Sequence, residues 1–222
     1  MRIVARFAPI VAALALAVIA STAGATLVSG DSSFGPGTIT ADTQTGLVWL
    51  DLTESAGLTH AQVLQELIPG GTFEGFRLAT RAEVAGLFAD AGFDLSPATL
   101  GSFVPQNFDP AVALAALVGQ LGNNGNCGTG CSFSFSSGFL ADPPSIPDTF
   151  AEAGLAWFDN SAGLDPTSPA APVGRAILEG GAFDTPSPGL GAWLVAVPEP
   201  GTLLLLGAAL AGLTVMGRRR ER

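Results

Sequence analysis

The sequence predicts one α+β domain placed between two terminal targeting segments. Three observations support this fold class: 48% of the 222 residues are hydrophobic, an uncharged apolar run lies near each end, and helix patterns give way to short strands along the middle of the chain. A chain with this apolar content can bury a substantial core, which argues against disorder. We therefore divide the chain into residues 1–25, 26–196 and 197–222.

Residues 1–25 have the pattern of a secretory signal peptide. Two arginines among the first six residues precede an apolar run over residues 10–20. Ala23 and Ala25 stand where signal peptidase requires small side chains, so we expect cleavage before Thr26. An uncleaved N-terminal anchor is the alternative, although the apolar run is short for a spanning helix.

The C-terminal segment predicts a transmembrane helix followed by a basic tail. Residues 200–217 carry no charge, and at about 1.5 Å per residue they reach roughly 27 Å as a helix, enough for a bilayer core. The tail contains Arg218, Arg219, Arg220 and Arg222. Because basic residues stay on the cytoplasmic side, the preceding domain should face outward. A buried C-terminal helix is the alternative.

The junction before this span carries a recognisable motif. Val197-Pro198-Glu199-Pro200-Gly201, then the apolar run, then the arginines resemble the PEP-CTERM sorting signal, which is found in diderm bacteria that make exopolysaccharide. The resemblance implies that the chain is exported, anchored transiently in the inner membrane, and cut near Pro198, Glu199 and Pro200 by the membrane protease exosortase. Signal peptidase and exosortase are thus the expected processing partners, and the product belongs at the cell surface or outside the cell.

Within the central region, a hairpin and three helices are predicted first. Residues 39–41 and 47–52 are β-prone and flank a tight turn. Two helices open with a capping box, Thr59 with Gln62 and Thr80 with Glu83, and should end near Leu67 and Ala91. Their expected apolar faces comprise Val63, Leu64 and Leu67 in the first helix, and Val84, Leu87, Phe88 and Ala91 in the second. Asp109 and Pro110 predict the cap and first position of a third helix that ends near Leu121.

Short strands follow, separated by Pro-rich turns. They are expected over residues 132–140, 154–159, 173–178 and 191–197. No sequence period of 20 to 50 residues repeats, which disfavours a solenoid.

Three segments of the central region together resemble the DUF1566 (Lcl-like) domains, which look like relatives of the C-type-lectin fold. These are Thr45-Gly46-Leu47-Val48-Trp49-Leu50-Asp51, Gly75-Phe76-Arg77-Leu78-Ala79-Thr80-Arg81-Ala82-Glu83-Val84, and Ala192-Trp193-Leu194-Val195. The family pattern has Trp and Pro where this chain has Phe76 and Ala79. The resemblance implies a single C-type-lectin-like domain in which the first and last strands pair, placing residues 38–50 beside residues 191–197.

The charge of the central region limits the classes of molecule that it can bind. Residues 26–197 hold three arginines and seventeen acidic side chains, a net charge of −14. Such a surface disfavours nucleic acid and anionic lipid, which require Lys and Arg clusters, and leaves cations, neutral glycans and proteins. The acidity could also serve solubility alone.

Two cysteines, Cys127 and Cys131, lie in a glycine-rich loop. In an exported chain with no other cysteine they predict one disulfide, for which the glycines allow a tight enclosed loop. A redox or metal role is the alternative.

No catalytic constellation stands out in the sequence. There is no Lys, His60 is the only histidine, and no Gly-x-Ser-x-Gly elbow occurs, so we predict no enzyme activity. His60 is expected to be a surface or helix-terminal residue, and Arg77 with Glu83 a structural pair and cap.

Calcium is the remaining candidate cofactor, because it binds six to eight oxygens and several Asp and Asn side chains lie in the loop-rich C-terminal half. Its candidate ligands are Asp159, Asn160 and Asp165, with Asp142 and Asp148 nearby in sequence; the same residues could simply make turns. The sequence therefore favours a non-catalytic surface or matrix protein that contacts exopolysaccharide or other surface proteins. A calcium-assisted, lectin-like glycan binder is the alternative.

Overall fold

A computed structural model describes residues 26–124, 133–145, 147–159, 172–182 and 184–197. It confirms the α+β class, with two sheets and three α-helices in these residues. The strands are β1 Leu27–Ser32, β2 Gly35–Asp42, β3 Val48–Leu50, β4 Phe76–Leu78, β5 Gly122–Asn124, β6 Phe133–Phe139, β7 Phe150–Phe158, β8 Val173–Ala182, β9 Gly191–Ala192 and β10 Leu194–Ala196. The helices are α1 His60–Glu66, α2 Arg81–Asp90 and α3 Phe108–Val118, with 3₁₀ turns at Leu52–Ser55 and Pro105–Asn107.

The first sheet, called the N-terminal sheet here, also contains the last strand of the domain. Its order is β1-β2-β3-β10-β4, and all of its pairs are antiparallel. Leu194 of β10 lies opposite Leu50 of β3 on one side and Leu78 of β4 on the other. The expected pairing of the first and last strands is therefore present only in part: β3 pairs with β10, whereas the first strand, β1, and β2 do not.

The second sheet, the C-terminal sheet, has the order β5-β6-β7-β8, and β9 pairs with β6 in parallel. Trp193 is the residue between β9 and β10, so it stands where the chain leaves one sheet and enters the other. Its amide donates to the Phe139 carbonyl at 3.1 Å, and its carbonyl accepts from the Ala79 amide at 2.7 Å. The indole Nε1 donates to the Ala153 carbonyl at 2.9 Å. These bonds satisfy a fully buried tryptophan.

Helix α3 fills the space between the two sheets. It contacts β2 of the N-terminal sheet and both β7 and β8 of the C-terminal sheet. Its buried side chains are Ala111, Leu114, Ala115 and Val118, spaced at helical intervals. Thr40 of β2 donates its hydroxyl to the Leu117 carbonyl at 3.0 Å, which anchors the last turn to the sheet.

The two predicted capping boxes are both confirmed. Thr59 accepts from the Gln62 amide while Gln62 accepts from the Thr59 amide, and Thr80 and Glu83 do the same at α2. The expected face of α2 is also correct, since Val84, Leu87 and Phe88 are buried. In α1 only Val63 is buried, and the expectation for Leu64 is wrong because 45% of it is exposed. A seven-residue helix turns too few side chains inward to bury three of them.

The predicted start and end of the third helix are wrong. The helix begins at Phe108 with Asn107 as its cap, and it ends at Val118. Asn107 is buried, and its side-chain amide is satisfied by Asp94: it accepts from the Asp94 amide at 2.8 Å and donates to the Asp94 carbonyl at 3.2 Å. Gly119 ends the helix with φ of 88°, a left-handed conformation that glycine adopts at little cost.

The predicted strands are present with shifted limits, except that the one expected over residues 191–197 is two strands, β9 and β10, which lie in different sheets because the chain crosses over at Trp193. The hairpin is β2 and β3, paired from Ile39 with Leu50 to Ala41 with Val48. Strand β7 begins four residues before its predicted start, and β8 ends four residues after its predicted end. Strand β1 was not predicted because its sequence, Leu-Val-Ser-Gly-Asp-Ser, contains turn-forming residues. Its pairing with β2 stabilises it.

We predict that Leu114→Ala lowers the free energy of unfolding by ~2–5 kcal/mol, because it leaves a cavity between the two sheets. The control is Val112→Ala on the same helix, where 39% of the side chain is exposed and a change of about 1 kcal/mol or less is expected. Urea denaturation of the processed protein measures both. Equal losses for the two variants would contradict the placement of α3.

Candidate functional site

The end of the described chain is held tightly against the domain. Strand β10 lies between β3 and β4 and ends at Ala196. The next amide, that of Val197, donates to the Gly75 carbonyl at 2.7 Å. The residue that follows in sequence is Pro198, so the Pro-Glu-Pro tripeptide begins directly after a hydrogen-bonded residue of the domain.

Comparison with known protein families decides what this junction is. Residues 196–220 match the model of the PEP-CTERM protein-sorting motif. The chain carries a PEP-CTERM sorting motif. This motif marks a protein that exosortase processes and that transits to the cell envelope or surface. No curated protein and no solved structure matches the chain.

Several predicted site residues lie outside the described residues. These are Ala23, Ala25, Cys127, Cys131, Asn160, Asp165, Pro198, Glu199, Pro200, Arg218, Arg219, Arg220 and Arg222. The signal-peptide cleavage and the disulfide therefore stay predictions. The predicted transmembrane helix also falls outside, and among the described residues no helix is long and apolar enough to cross a membrane.

Only one of the three candidate calcium ligands lies in the described residues. Asp159 is exposed at the end of β7, whereas its proposed companions Asn160 and Asp165 are not described. Within the described ranges, no group of three or more His, Cys, Asp or Glu side chains is arranged to hold a metal ion. The Asp142 carboxylate accepts from the Arg81 amide instead. The calcium site stays a prediction that rests on the sequence.

His60 is the first residue of α1 and packs as an aromatic ring. It stacks on Phe150 with centroids 4.1 Å apart and meets Phe139 edge-on at 5.3 Å. Burial lowers the pKa of His60, while the Asp184 carboxylate acts in the opposite direction. With Leu64 and Arg77 the ring lines a cleft of about 470 Å³ between α1, β4 and the start of β7.

Arg77 and Glu83 form the expected pair and cap. Arg77 Nη1 donates to Glu83 Oε2 at 2.9 Å and Nη2 donates to Oε1 at 2.5 Å, a two-pronged ion pair. The hydrogen bond from Arg77 is the main cause that lowers the pKa of Glu83 to about 2. The Thr80 amide also donates to this carboxylate, at 2.8 Å. Both charges are thus committed to the start of α2.

A second cleft, which we call the outer groove, lies on the C-terminal sheet. Its volume is about 330 Å³, and its small floor residues Gly154 and Ala156 belong to β7. Phe133, Phe135 and Ser137 of β6 line one side, and Arg175 and Ile177 of β8 line the other, with Glu152 also at its edge.

Sequence reasoning missed the outer groove, although β6 carried a signal for it. In most half-buried strands the apolar residues point inward, but here Ser134 and Ser136 are buried while Phe133 and Phe135 stay partly exposed. Ser136 explains this inversion, since its hydroxyl donates to the Gly119 carbonyl at 2.7 Å and accepts from the Leu121 amide at 3.2 Å. The inward serines hold the end of α3, and the phenylalanines therefore face outward.

Asp51 is the described carboxyl group with the largest upward shift in pKa. Burial, with a smaller contribution from the Glu54 carboxylate, raises the pKa of Asp51 from 3.8 to about 6. Its buried Oδ1 has no hydrogen-bond partner among the described residues. Asp51 lines neither of the two clefts, so its effect should be on stability.

We predict that Asp51→Asn stabilises the protein near neutral pH. Between pH 3.8 and about 6 the folded state holds a proton that the unfolded chain has released, so this group makes stability fall as pH rises. The urea midpoint of the variant should therefore exceed that of the parent by more at about pH 7 than at about pH 4. Asp109→Asn, at an exposed position, is the control and should lack this pattern. A gap that does not widen with pH would refute the assignment.

Proposed function

We propose that this protein is a non-catalytic exported protein of the cell surface or extracellular matrix of a diderm bacterium, cut by exosortase at its C-terminal motif. The observation that carries the proposal is the PEP-CTERM match over residues 196–220, directly after the last strand of a folded domain. In this function the domain is the exported product and residues 197–222 are its sorting signal.

The geometry at the junction supports delivery of a folded domain. The Val197 amide is hydrogen-bonded to the Gly75 carbonyl, and the Pro-Glu-Pro tripeptide follows Val197 in sequence without an intervening residue. Strand β10 pairs on both sides, so the residues before the motif cannot be drawn out without opening the N-terminal sheet. Exosortase would thus act at the edge of the domain.

The charge of the domain supports an extracellular location. A net charge of −14 over residues 26–197 keeps an exported protein soluble. Two of its three cations, Arg77 and Arg81, are within ion-pair distance of Glu83 and Glu179. The surface thus offers little attraction to polyanions, which leaves neutral exopolysaccharide and other surface proteins as partners.

Intact mass of the protein from its native host, measured separately in the envelope and the medium, tests the proposal. We expect a chain that begins at Thr26, ends between Pro198 and Pro200, and lies outside the inner membrane. A product that keeps its arginine tail in the inner membrane would overturn it. So would cleavage of a matrix glycan or peptide by the purified protein, if one carboxylate substitution abolished that activity.

We predict that Glu199→Ala blocks processing and leaves the full C-terminal segment attached. The reason is that Glu199 is the only charged residue of the tripeptide that marks the motif. Glu221→Ala removes the same side chain from the tail and serves as the matched control, with processing retained. Intact mass and membrane fractionation report both variants, and equal processing of the two would show that the tripeptide is not read.

A further inference from the structure

The outer groove lies on a sheet face that no described helix covers. Helix α3 packs against β7 and β8 from the opposite side, where Ala153, Leu155 and Ala176 are buried in the main core. The groove face carries Phe133, Phe135 and Ile177, which are only partly buried. A volume of about 330 Å³ falls in the range of about 300–1,000 Å³ typical of ligand sites.

Aromatic rings form a continuous row along this face. Phe135 stacks on Phe133 with centroids 5.6 Å apart, and Phe133 lies 4.8 Å from Phe158. Phe158 in turn meets Phe103 edge-on at 4.9 Å. The guanidinium of Arg175 sits 4.4 Å above the Phe103 ring and ends the row. Each ring is held by its neighbour, so the platform is organised before any ligand arrives.

The position of Phe135 depends on two glycines. A Cβ at Gly122 would lie 2.2 Å from the Phe135 ring, and one at Gly189 would lie 2.9 Å from it. The ring is therefore confined between strand β5 and the loop before β9, with its partly exposed side available at the groove.

The charged groups of the groove are a cation and an acid. Arg175 makes no ion pair with any described residue, and its buried Nε has no hydrogen-bond partner there. Burial lowers the pKa of Arg175, and the guanidinium lies over the face of the Phe103 ring. Glu152 lines the same groove from β7. One donor group and one acceptor group thus flank an apolar floor.

We propose that the outer groove binds a neutral glycan, with the apolar face of a sugar ring over Phe133 and Phe135 and hydroxyls of successive sugars on Arg175 at one end of the groove and Glu152 at the other. Charge selects this occupant: the domain carries −14 overall, so a polyuronate or another polyanion is repelled, whereas a neutral glycan is not. A neutral sugar has both an apolar face and hydroxyls that donate and accept. The proposal rests on the exported matrix function above, and it needs no metal ion.

Affinity electrophoresis of the processed protein tests this inference. The probes are the neutral polysaccharide fraction of the host's own matrix, with dextran as a second neutral polymer and alginate as a polyuronate, each run with and without EDTA. We expect retardation by the neutral matrix fraction and none by alginate. No retardation by the neutral fraction, retardation only by alginate, or binding that EDTA abolishes would each overturn the proposal.

Two variants locate the binding on the groove. Arg175→Met keeps the length of the side chain and removes its donors, and Glu152→Gln removes the negative acceptor; each should weaken binding at least fivefold. Glu179→Gln on β8 is the matched control, since Glu179 is exposed outside the groove lining, and it should stay within twofold of the parent. Thermal melts check that all three variants fold. If Arg175→Met does not fold, Glu152→Gln alone tests the groove.

The outcomes separate this inference from the proposed function. Equal retardation of parent, Arg175→Met and Glu152→Gln would mean that another surface binds the glycan, which refutes the groove and leaves export and sorting intact. Sedimentation that shows a dimer lost in Arg175→Met, with no glycan binding, would assign the face to a second copy of this chain and refute the inference. A product that keeps its arginine tail in the inner membrane would instead refute the proposed function.

Discussion

The arrangement of both sheets depends on the bonds made by one buried tryptophan. Trp193 ties β6 through Phe139, the start of α2 through Ala79, and β7 through Ala153, while its ring meets Trp49 edge-on with centroids 6.1 Å apart. A buried polar group left without a partner costs about 1–3 kcal/mol, so each of these bonds constrains where the neighbouring elements can lie. The chain changes sheets at this residue, and both sheets keep their register around it.

The same crossover determines how the domain meets its sorting motif. Because β10 enters the middle of the N-terminal sheet, the chain leaves the domain between β3 and β4, beside the loop that contains Gly75. The last strand pairs with both β3 and β4, so the residues before the motif hold their place only in the folded sheet. Folding and presentation of the motif are therefore linked by topology.

The outer groove follows from how the C-terminal sheet is covered. Helix α3 lies between the sheets and needs polar contacts at its end, which Ser136 of β6 supplies. Alternation along the strand then places Phe133 and Phe135 on the other face, where described helices do not reach. A half-buried Arg175 and a row of aromatic rings are the chemical consequence of that one-sided packing.

The sequence by itself determined the features that depend on neighbours a few residues apart. The capping boxes at Thr59 and Thr80, the hairpin of β2 and β3, and the sorting motif after Val197 belong to this class, because their signals lie within one short segment. Only the tertiary structure decided the rest. It inserted β10 between two early strands, gave β1 a partner, moved the cap of α3 to Asn107 through Asp94, and gathered Phe133, Glu152 and Arg175 into one groove from three strands. Contacts between distant segments follow from packing around a shared core, and no short pattern in the chain specifies them.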